Sequence, residues 1–135
     1  MLISAPDLAR LVEDILLAVQ VPPNKARLVA SSLVAANLRG VDSHGVQLLP
    51  YYVEQIEWGD VNPRADGHVI SESGPCLLYD GENGIGQPIA ETCCAHGVRI
   101  TKQHGLSMVV ARESNHFGSA AFWGGSTPPR ASSAS

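Results

Sequence analysis

Apolar residues recur at helical spacing through the first 60 residues of this 135-residue chain, and the pattern then changes to short strand-like runs. This length suits one domain with a hydrophobic core of moderate size. Helices followed by a mixture of strands and helices indicate a mixed α/β fold. The sequence therefore predicts an N-terminal helical region over residues 1–60 and the start of a sheet domain over residues 61–123.

The helical region carries start and stop signals of its own. Ser4 is a good N-cap, and Asp7 follows three residues later, ahead of an apolar stripe. Pro50 is tolerated in a helix only near the first turn. We therefore predict three helices, over residues 5–20, from about residue 26 to a stop at Gly40, and over residues 46–58.

The second half reads as strands that alternate with helices. Leu106 and the apolar residues after it predict a buried strand, because they form a nearly continuous apolar run between turn signals. The predicted elements are strands at 69–71 and 76–79, a glycine-rich turn at 80–87, a long helix stopped by Gly105, the strand at 106–111, and the start of a helix at 119–123.

Two of the five histidines stand in small polar and glycine-containing segments at element boundaries. His44 belongs to the segment SHG at residues 43–45, and His116 to SNHFG at residues 114–118. The ordinary pKa of histidine is the nearest to neutrality, so such residues suit proton transfer to or from a carbonyl or an alcohol. The other three, His68, His96 and His104, are predicted on the surface or on a helix face.

Charge and composition exclude several classes of partner. The net charge is −4 and the basic residues are scattered, which argues against binding of nucleic acid or an acidic membrane. A small anionic substrate is compatible, because one arginine in a pocket would suffice. No basic leader precedes an apolar run, and no apolar stretch approaches the roughly 20 residues that span a bilayer. We therefore predict a cytoplasmic protein with no membrane partner.

Neither the cysteines nor the glycines carry a recognisable binding motif. Cys93 and Cys94 are adjacent in a set of three cysteines, which argues against disulfides, and the spacing of cysteines and histidines does not predict a metal site. Cys93 fits the packed face of a helix. Gly81, Gly84 and Gly86 reverse the order of the dinucleotide fingerprint, so they indicate a tight entry into a helix rather than a Rossmann phosphate loop.

Four segments together resemble the type-2 malate/L-lactate dehydrogenase family, and the resemblance covers about residues 2–123. The segments are NLRGVDSHG at 37–45, PYYV at 50–53, DGENGIGQ at 80–87 and SNHFG at 114–118. The resemblance implies an oxidoreductase that uses NAD or NADP to interconvert a 2-hydroxy acid and a 2-keto acid, or in some relatives acts on a cyclic imine acid or on ureidoglycolate. It also implies a nucleotide-binding sheet domain of the family's own kind, and a homodimer with its active site between domains.

The resemblance assigns the catalytic site to His44 and His116. One imidazole would exchange a proton with the substrate and the other would orient the substrate oxygens; the sequence leaves the division of roles open. Ser43 is predicted to bond to His44 or to the substrate. Tyr52, about two turns along the third helix, is predicted to present its hydroxyl to the same pocket.

One position departs from the family pattern. Leu48 stands where relatives commonly have an arginine that grips the substrate carboxylate, and leucine cannot form that bidentate contact. Arg39 is the nearest candidate to replace it. The alternative for Arg39 is a solvated residue that complements the dipole at a helix C-terminus.

The same resemblance places most cofactor contacts outside the matched residues. We therefore expect an incomplete nucleotide-binding domain and no activity from this chain alone. Residues 124–135 are rich in small and polar residues and are predicted to be a disordered tail. The alternative is a non-catalytic dimerisation or interaction fragment of such an enzyme.

Overall fold

A computed structural model describes the backbone of residues 2–126 and the side chains of residues 2–124. It shows a helical part followed by a three-stranded sheet with its own helices, as the sequence predicts. The elements are α1 (Ala5–Ala18), α2 (Pro23–Leu38), α3 (Leu49–Glu57), β1 (His68–Ser73), β2 (Cys76–Gly84), α4 (Gly86–His104), β3 (Met108–Ser114) and α5 (Ala120–Ser126), with short 3-10 turns at Asp42–His44 and Val46–Leu48.

The ends of the first three helices follow local chemistry. The hydroxyl of Ser4 accepts a hydrogen bond from the Asp7 amide at 3.3 Å, which confirms the predicted N-cap. Pro50 lies in the first turn of α3, also as predicted. Residues 46–48 form a 3-10 turn instead of the predicted first turn of the α-helix, because the proline ring would clash with the carbonyl four residues earlier.

Helix α2 lies at the centre of the helical core. Ala26 and Ala30 are fully buried and small, so α1 packs closely against α2. Val61 and Ile85 also belong to this core, although they come after the three helices in the sequence. The buried cluster comprises Val12, Leu16, Val21, Ala26, Val29, Ala30, Leu33, Leu49, Tyr52, Val61 and Ile85.

The sheet has the order β1-β2-β3, with β1 antiparallel and β3 parallel to β2. Helix α4 connects the two parallel strands and covers one face of the sheet. That face buries Leu77 and Tyr79 of β2 against Ile89 and Ile100 of α4, and Cys93 packs on the same cluster as predicted. Gly105, with φ of 84°, ends α4 in the left-handed conformation that glycine readily adopts.

The prediction of a turn over residues 80–87 is wrong for its first half, since β2 continues to Gly84. Asp80 pairs with Arg112 of β3, and the Arg112 Nε donates to the Asp80 carboxylate at 2.9 Å. The strand becomes irregular beyond Asp80, where Glu82 and Asn83 have φ of 52° and 59°. The polar composition therefore marks a bulged strand end.

The strand predicted over 106–111 is present from Met108 onward, but the prediction that it is buried is wrong. Strand β3 begins at Met108, and Leu106, Met108 and Val110 are 62%, 61% and 50% exposed. Helix α4 covers only the face that carries Val109, so alternate residues of β3 point away from it. We call the opposite side of the sheet the open face; it carries Cys76, Leu78, Met108 and Val110.

Helix α5 begins at Ala120, within the segment predicted to start a helix. Residues 124–126 are the end of this helix, so the predicted disordered tail does not begin at 124. The rest of that predicted tail, residues 127–135, lies outside the described residues. In the part of the chain that the structure describes, no helix has both the length and the apolar character needed to cross a membrane.

Candidate active site

His44 is fixed by a 3-10 turn that is bound to helix α2. The Asn37 side chain donates to the Asp42 carboxylate at 2.8 Å and accepts from the Val46 amide at 2.9 Å, so one amide closes both ends of the turn. A Cβ at Gly45 would overlap the Asn37 carboxamide, which explains the glycine beside His44. His44 thus precedes α3 and is anchored to the helical core.

His116 is fixed from the sheet side, just beyond the end of β3. The neighbouring Asn115 side chain donates to the Gly84 carbonyl at 2.8 Å and to Asn83 Oδ1 at 3.1 Å. A Cβ at Gly86 would overlap the carbonyl oxygens of Asn115 and His116, so the first residue of α4 touches the backbone of this loop. The end of β2 and the start of α4 together set the position of His116.

The structure brings the two predicted histidines together. Their ring centroids are 5.7 Å apart, with an angle of 36° between the ring planes. The Tyr52 hydroxyl lies 2.8 Å from His116 Nδ1, and the Ser43 hydroxyl lies 3.0 Å from His44 Nδ1. Four of the five predicted site residues, all but Arg39, thus belong to or contact one pair of imidazoles.

A second layer of hydrogen bonds lies beneath His116. Gln87, which is fully buried in the first turn of α4, donates from Nε2 to the Tyr52 hydroxyl at 3.0 Å. The Gly118 amide donates to His116 Nδ1 at 3.2 Å. No role was predicted from the sequence for Gln87 or Gly118, although Gln87 ends the segment at 80–87. A polar side chain just inside the start of a long helix was the available signal.

A small cavity of about 30 Å³ lies behind His116 and Tyr52, between the sheet loop and helices α1 to α3. Leu16, Val29 and Ile85 make most of its wall apolar, and the Gln87 amide is on its polar side. A cavity of this size holds about one water molecule or a methyl group. The inner side of the site therefore has little room for a ligand.

The local environment holds both His116 and Tyr52 in their neutral forms near neutral pH. Partial burial lowers the pKa of His116, and the nearby His44 lowers it further. Burial raises the pKa of Tyr52; Tyr51 adds to that effect and the hydrogen bond from Gln87 opposes it. The Tyr52 hydroxyl therefore keeps its proton and remains a donor.

Other predicted residues lie away from the pair. Arg39 is exposed at the C-cap of α2, and its side chain makes no hydrogen bond or ion pair with any described residue. Leu48 packs against the helical core. His68 is exposed and lies 2.8 Å from Glu82, and His104 is exposed at the end of α4. His96 lies beside Tyr79 on α4, which leaves only His44 and His116 in the pair.

Comparison with known proteins gives a consistent result. A family model described as malate/L-lactate dehydrogenase matches residues 3–127. The chain is 42% identical to the malate dehydrogenase of Pyrococcus horikoshii, over 76% of this chain and 29% of that protein. It is 32% identical to the L-sulfolactate dehydrogenase of Methanocaldococcus jannaschii, over 84% of this chain and 33% of that protein.

The fold agrees with the sequence comparison. The solved structure of the malate dehydrogenase from Pyrococcus horikoshii OT3 superposes with a TM-score of 0.87 and 36% identity, over 91% of this chain and 35% of the other. This chain spans about a third of the length of the relatives that it matches.

Proposed function

Because the chain belongs to the malate/L-lactate dehydrogenase family, we propose that it forms part of an oxidoreductase that interconverts a 2-hydroxy acid and a 2-keto acid with NAD or NADP. The observation that carries this proposal is the pair of imidazoles, His44 and His116, whose ring centroids are 5.7 Å apart. A secondary alcohol that is oxidised by hydride loss also loses its hydroxyl proton, so a proton acceptor has to lie beside it.

Five residues have roles in this proposal. A bound nicotinamide would supply the hydride acceptor for this oxidation. His44 and His116 contact the substrate oxygens, and one of them exchanges the proton. Ser43 fixes the ring of His44, and Tyr52 fixes the ring of His116. Arg39 is proposed to bind the substrate carboxylate, for which its exposed guanidinium has to turn from the end of α2 toward the pair.

The described residues fit the nicotinamide end of the cofactor and not its phosphates. His116 is exposed on its outer side, so a flat ring and a small acid can reach it. The space beside the glycines of residues 81–86 is instead occupied by backbone atoms. A Cβ at Gly81 would lie 2.6 Å from the Glu113 carbonyl oxygen, and one at Gly86 would overlap the loop at 115–116. We therefore propose that residues outside this chain bind the dinucleotide phosphates.

A direct test separates binding from turnover. We expect no oxidation of L-lactate or L-malate by the 135-residue chain with either NAD or NADP, because catalysis requires a positioned nicotinamide. We expect NMR titration with each acid to shift the signals of His44 and His116 and to leave those of the exposed His104 unchanged. Turnover by the unmodified chain that disappears in His116→Ala would contradict the proposed inactivity. The absence of any NMR shift at His44 and His116 would contradict the proposed site.

A second candidate function is a non-catalytic interaction fragment that associates with itself or with a complete sister enzyme. The open face of the sheet favours it, because Met108 and Val110 present apolar surface that commonly marks an interaction site. Sedimentation of the purified chain tests this candidate: we expect concentration-dependent association, and a single monomeric species at all concentrations would rule it out.

The setting of the enzyme is part of the same proposal. We propose a cytoplasmic location, supported by three cysteines that are all free thiols, as is usual in a reducing compartment. We also propose that the enzyme acts as a homodimer. Sedimentation at equilibrium with and without a complete sister chain measures that state, and a sister chain that stays monomeric would contradict it.

A further inference from the structure

We infer that Gln87 is a positioning residue which, through Tyr52, keeps the proton of His116 on Nε2, so that the outward ring nitrogen is a hydrogen-bond donor to the substrate oxygen. This inference rests on the proposed function and divides the roles of the two histidines, which the sequence leaves open.

The backbone amide of Gly118 determines which ring nitrogen of His116 carries the proton. Its amide can only donate, and it points at His116 Nδ1 from 3.2 Å. A ring nitrogen that accepts a hydrogen bond carries no proton. The proton of the neutral imidazole therefore resides on Nε2, which bonds to no described residue.

The Tyr52 hydroxyl contributes a second donor to the same nitrogen. Gln87 Nε2 can only donate, and its 3.0 Å bond occupies a lone pair of the tyrosine oxygen. The single hydroxyl proton of Tyr52 is then directed to His116 Nδ1, 2.8 Å away. The chain of bonds runs in one direction, from Gln87 to Tyr52 to His116.

The opposite assignment of the glutamine amide is inconsistent with these contacts. If the amide oxygen faced Tyr52, the hydroxyl would donate to Gln87 and the tyrosine oxygen would accept from His116 Nδ1. That nitrogen would then carry a proton directed against the Gly118 amide. With Nε2 toward Tyr52, all three donors face an acceptor, and the Tyr52 hydroxyl and the Gly118 amide share the single lone pair of His116 Nδ1.

Packing alone does not explain a glutamine at this position. Gln87 is fully buried, and its Oε1 has no hydrogen-bond partner among the described residues. An unpaired buried carbonyl oxygen lowers stability, so an apolar side chain of the same size would pack there at least as well. Among the described residues, the bond to Tyr52 is the one hydrogen bond that the side chain makes.

The tautomer of His116 assigns different roles to the two histidines. A nitrogen that already carries a proton cannot accept another one, so His116 donates a hydrogen bond from Nε2 and orients the substrate oxygen. The proton that leaves the alcohol passes to His44, whose Nδ1 is paired with Ser43. The hydride acceptor would be supplied by a bound nicotinamide. The titratable groups in contact with His116 are Tyr52 from α3 and His44 from the 3-10 turn.

The experiment is long-range proton–nitrogen NMR of the histidine rings in the full 135-residue chain, which reports the tautomer directly and needs no catalysis. We expect neutral His116 to be the Nε2–H form. We expect Gln87→Met to free the Tyr52 hydroxyl to accept from a protonated ring, which raises the pKa of His116 by about half a unit. The control is Gln103→Met, an exposed glutamine on the same helix, which is expected to leave the pKa of His116 unchanged.

A second variant tests the same inference if Gln87→Met fails to fold. Tyr52→Phe keeps the aromatic ring and removes the hydroxyl that donates to His116 Nδ1. We expect the same upward shift in the pKa of His116. An Nδ1–H tautomer in the unmodified chain, or a pKa of His116 that neither variant moves, would overturn the role of Gln87. A failure of L-lactate to bind would count only against the proposed function, because the tautomer is read without substrate.

Discussion

The pKa of His116 differs between the folded and the unfolded chain, and this difference makes the stability of the fold depend on pH. In the folded chain this pKa is lowered by partial burial and by His44. The unfolded chain therefore binds a proton at a pH where the folded chain does not. This contribution is fully present above the ordinary histidine pKa of about 6.5 and is lost as the pH falls from there toward the folded pKa.

The first prediction compares the chain with His116→Asn, whose Oδ1 can accept the bonds from Tyr52 and Gly118. We expect the free energy of unfolding of the unmodified chain to fall between pH 7.5 and pH 5.5, and that of the variant to fall less. Urea titrations at three pH values measure the difference. Equal losses in both proteins would show that His116 does not carry the effect.

At the scale of single residues, the sequence predicted the chemical groups better than their supports. His44 and His116 were predicted from their segments at element boundaries together with the family resemblance, and Ser43 and Tyr52 were predicted beside them within the same resemblance. Gln87 was missed because an amide gives no sign of burial in a sequence. Arg39 was chosen for its charge, and charge alone does not fix the direction of a long exposed side chain.

At the scale of elements, the start of α4 is what holds the sheet loop beside the helical core. Gly86 touches the carbonyl oxygens of Asn115 and His116, and this approach is possible only without a side chain. Its neighbour Gln87 supports Tyr52 of α3. One helix end thus connects both halves of the candidate site.

The second prediction is that Gly86→Ala separates these halves. The added methyl group has to displace backbone, so we expect a loss of about 2–3 kcal/mol in unfolding free energy. Gly97→Ala is the matched control on the same helix, where the nearest atom lies at 3.5 Å. There we expect a gain of up to about 1 kcal/mol from helix propensity. Equal effects in the two variants would contradict the contact at Gly86.

Helix α2 is connected to the segment before β1 by a buried lysine. Lys25 is 5% exposed, and its ammonium group donates to the Ala65 carbonyl at 2.7 Å and lies 2.9 Å from the Asp66 carboxylate. The carbonyl bond is buried, whereas the Asp66 side chain is 85% exposed. Most of the stabilisation should therefore come from the backbone acceptor.

The third prediction follows from that difference. We expect Lys25→Met to lower the unfolding free energy by about 2 kcal/mol, because a charged donor to a buried carbonyl is lost. Asp66→Asn should change it by less than about 0.5 kcal/mol, since water screens an exposed carboxylate. Thermal or urea unfolding measures both, and a larger loss in Asp66→Asn would assign the stabilisation to the ion pair instead.

Element types were more predictable than strand environments. The helices and the glycine stop at Gly105 follow from apolar periodicity and local chemistry. The length of β2 and the exposure of β3 did not follow, because both depend on which strand or helix lies alongside. Val109 and Val110 have the same side chain, and only the position of α4 decides which one is covered.

At the scale of the whole molecule, the described residues enclose one helical core and one sheet core that share α4 as a boundary. The open face of the sheet is the main apolar surface of β3 that no described element covers. Residues that alternate along a strand point to opposite faces, so neighbouring positions of β3 test the two environments separately.

The last prediction uses that alternation. A lysine at position 110 projects from the open face, so Val110→Lys should change the unfolding free energy by less than about 0.5 kcal/mol, as most surface substitutions do. A lysine at position 109 enters the cluster of Leu77, Tyr79 and Ile100, and should lower the unfolding free energy by about 2 kcal/mol or more. If the open face is an interaction surface, Val110→Lys also abolishes concentration-dependent sedimentation while leaving the fold intact. Association that persists in Val110→Lys and in Met108→Lys would place the contact elsewhere on the molecule, because a charge in an apolar interface without a partner is strongly unfavourable.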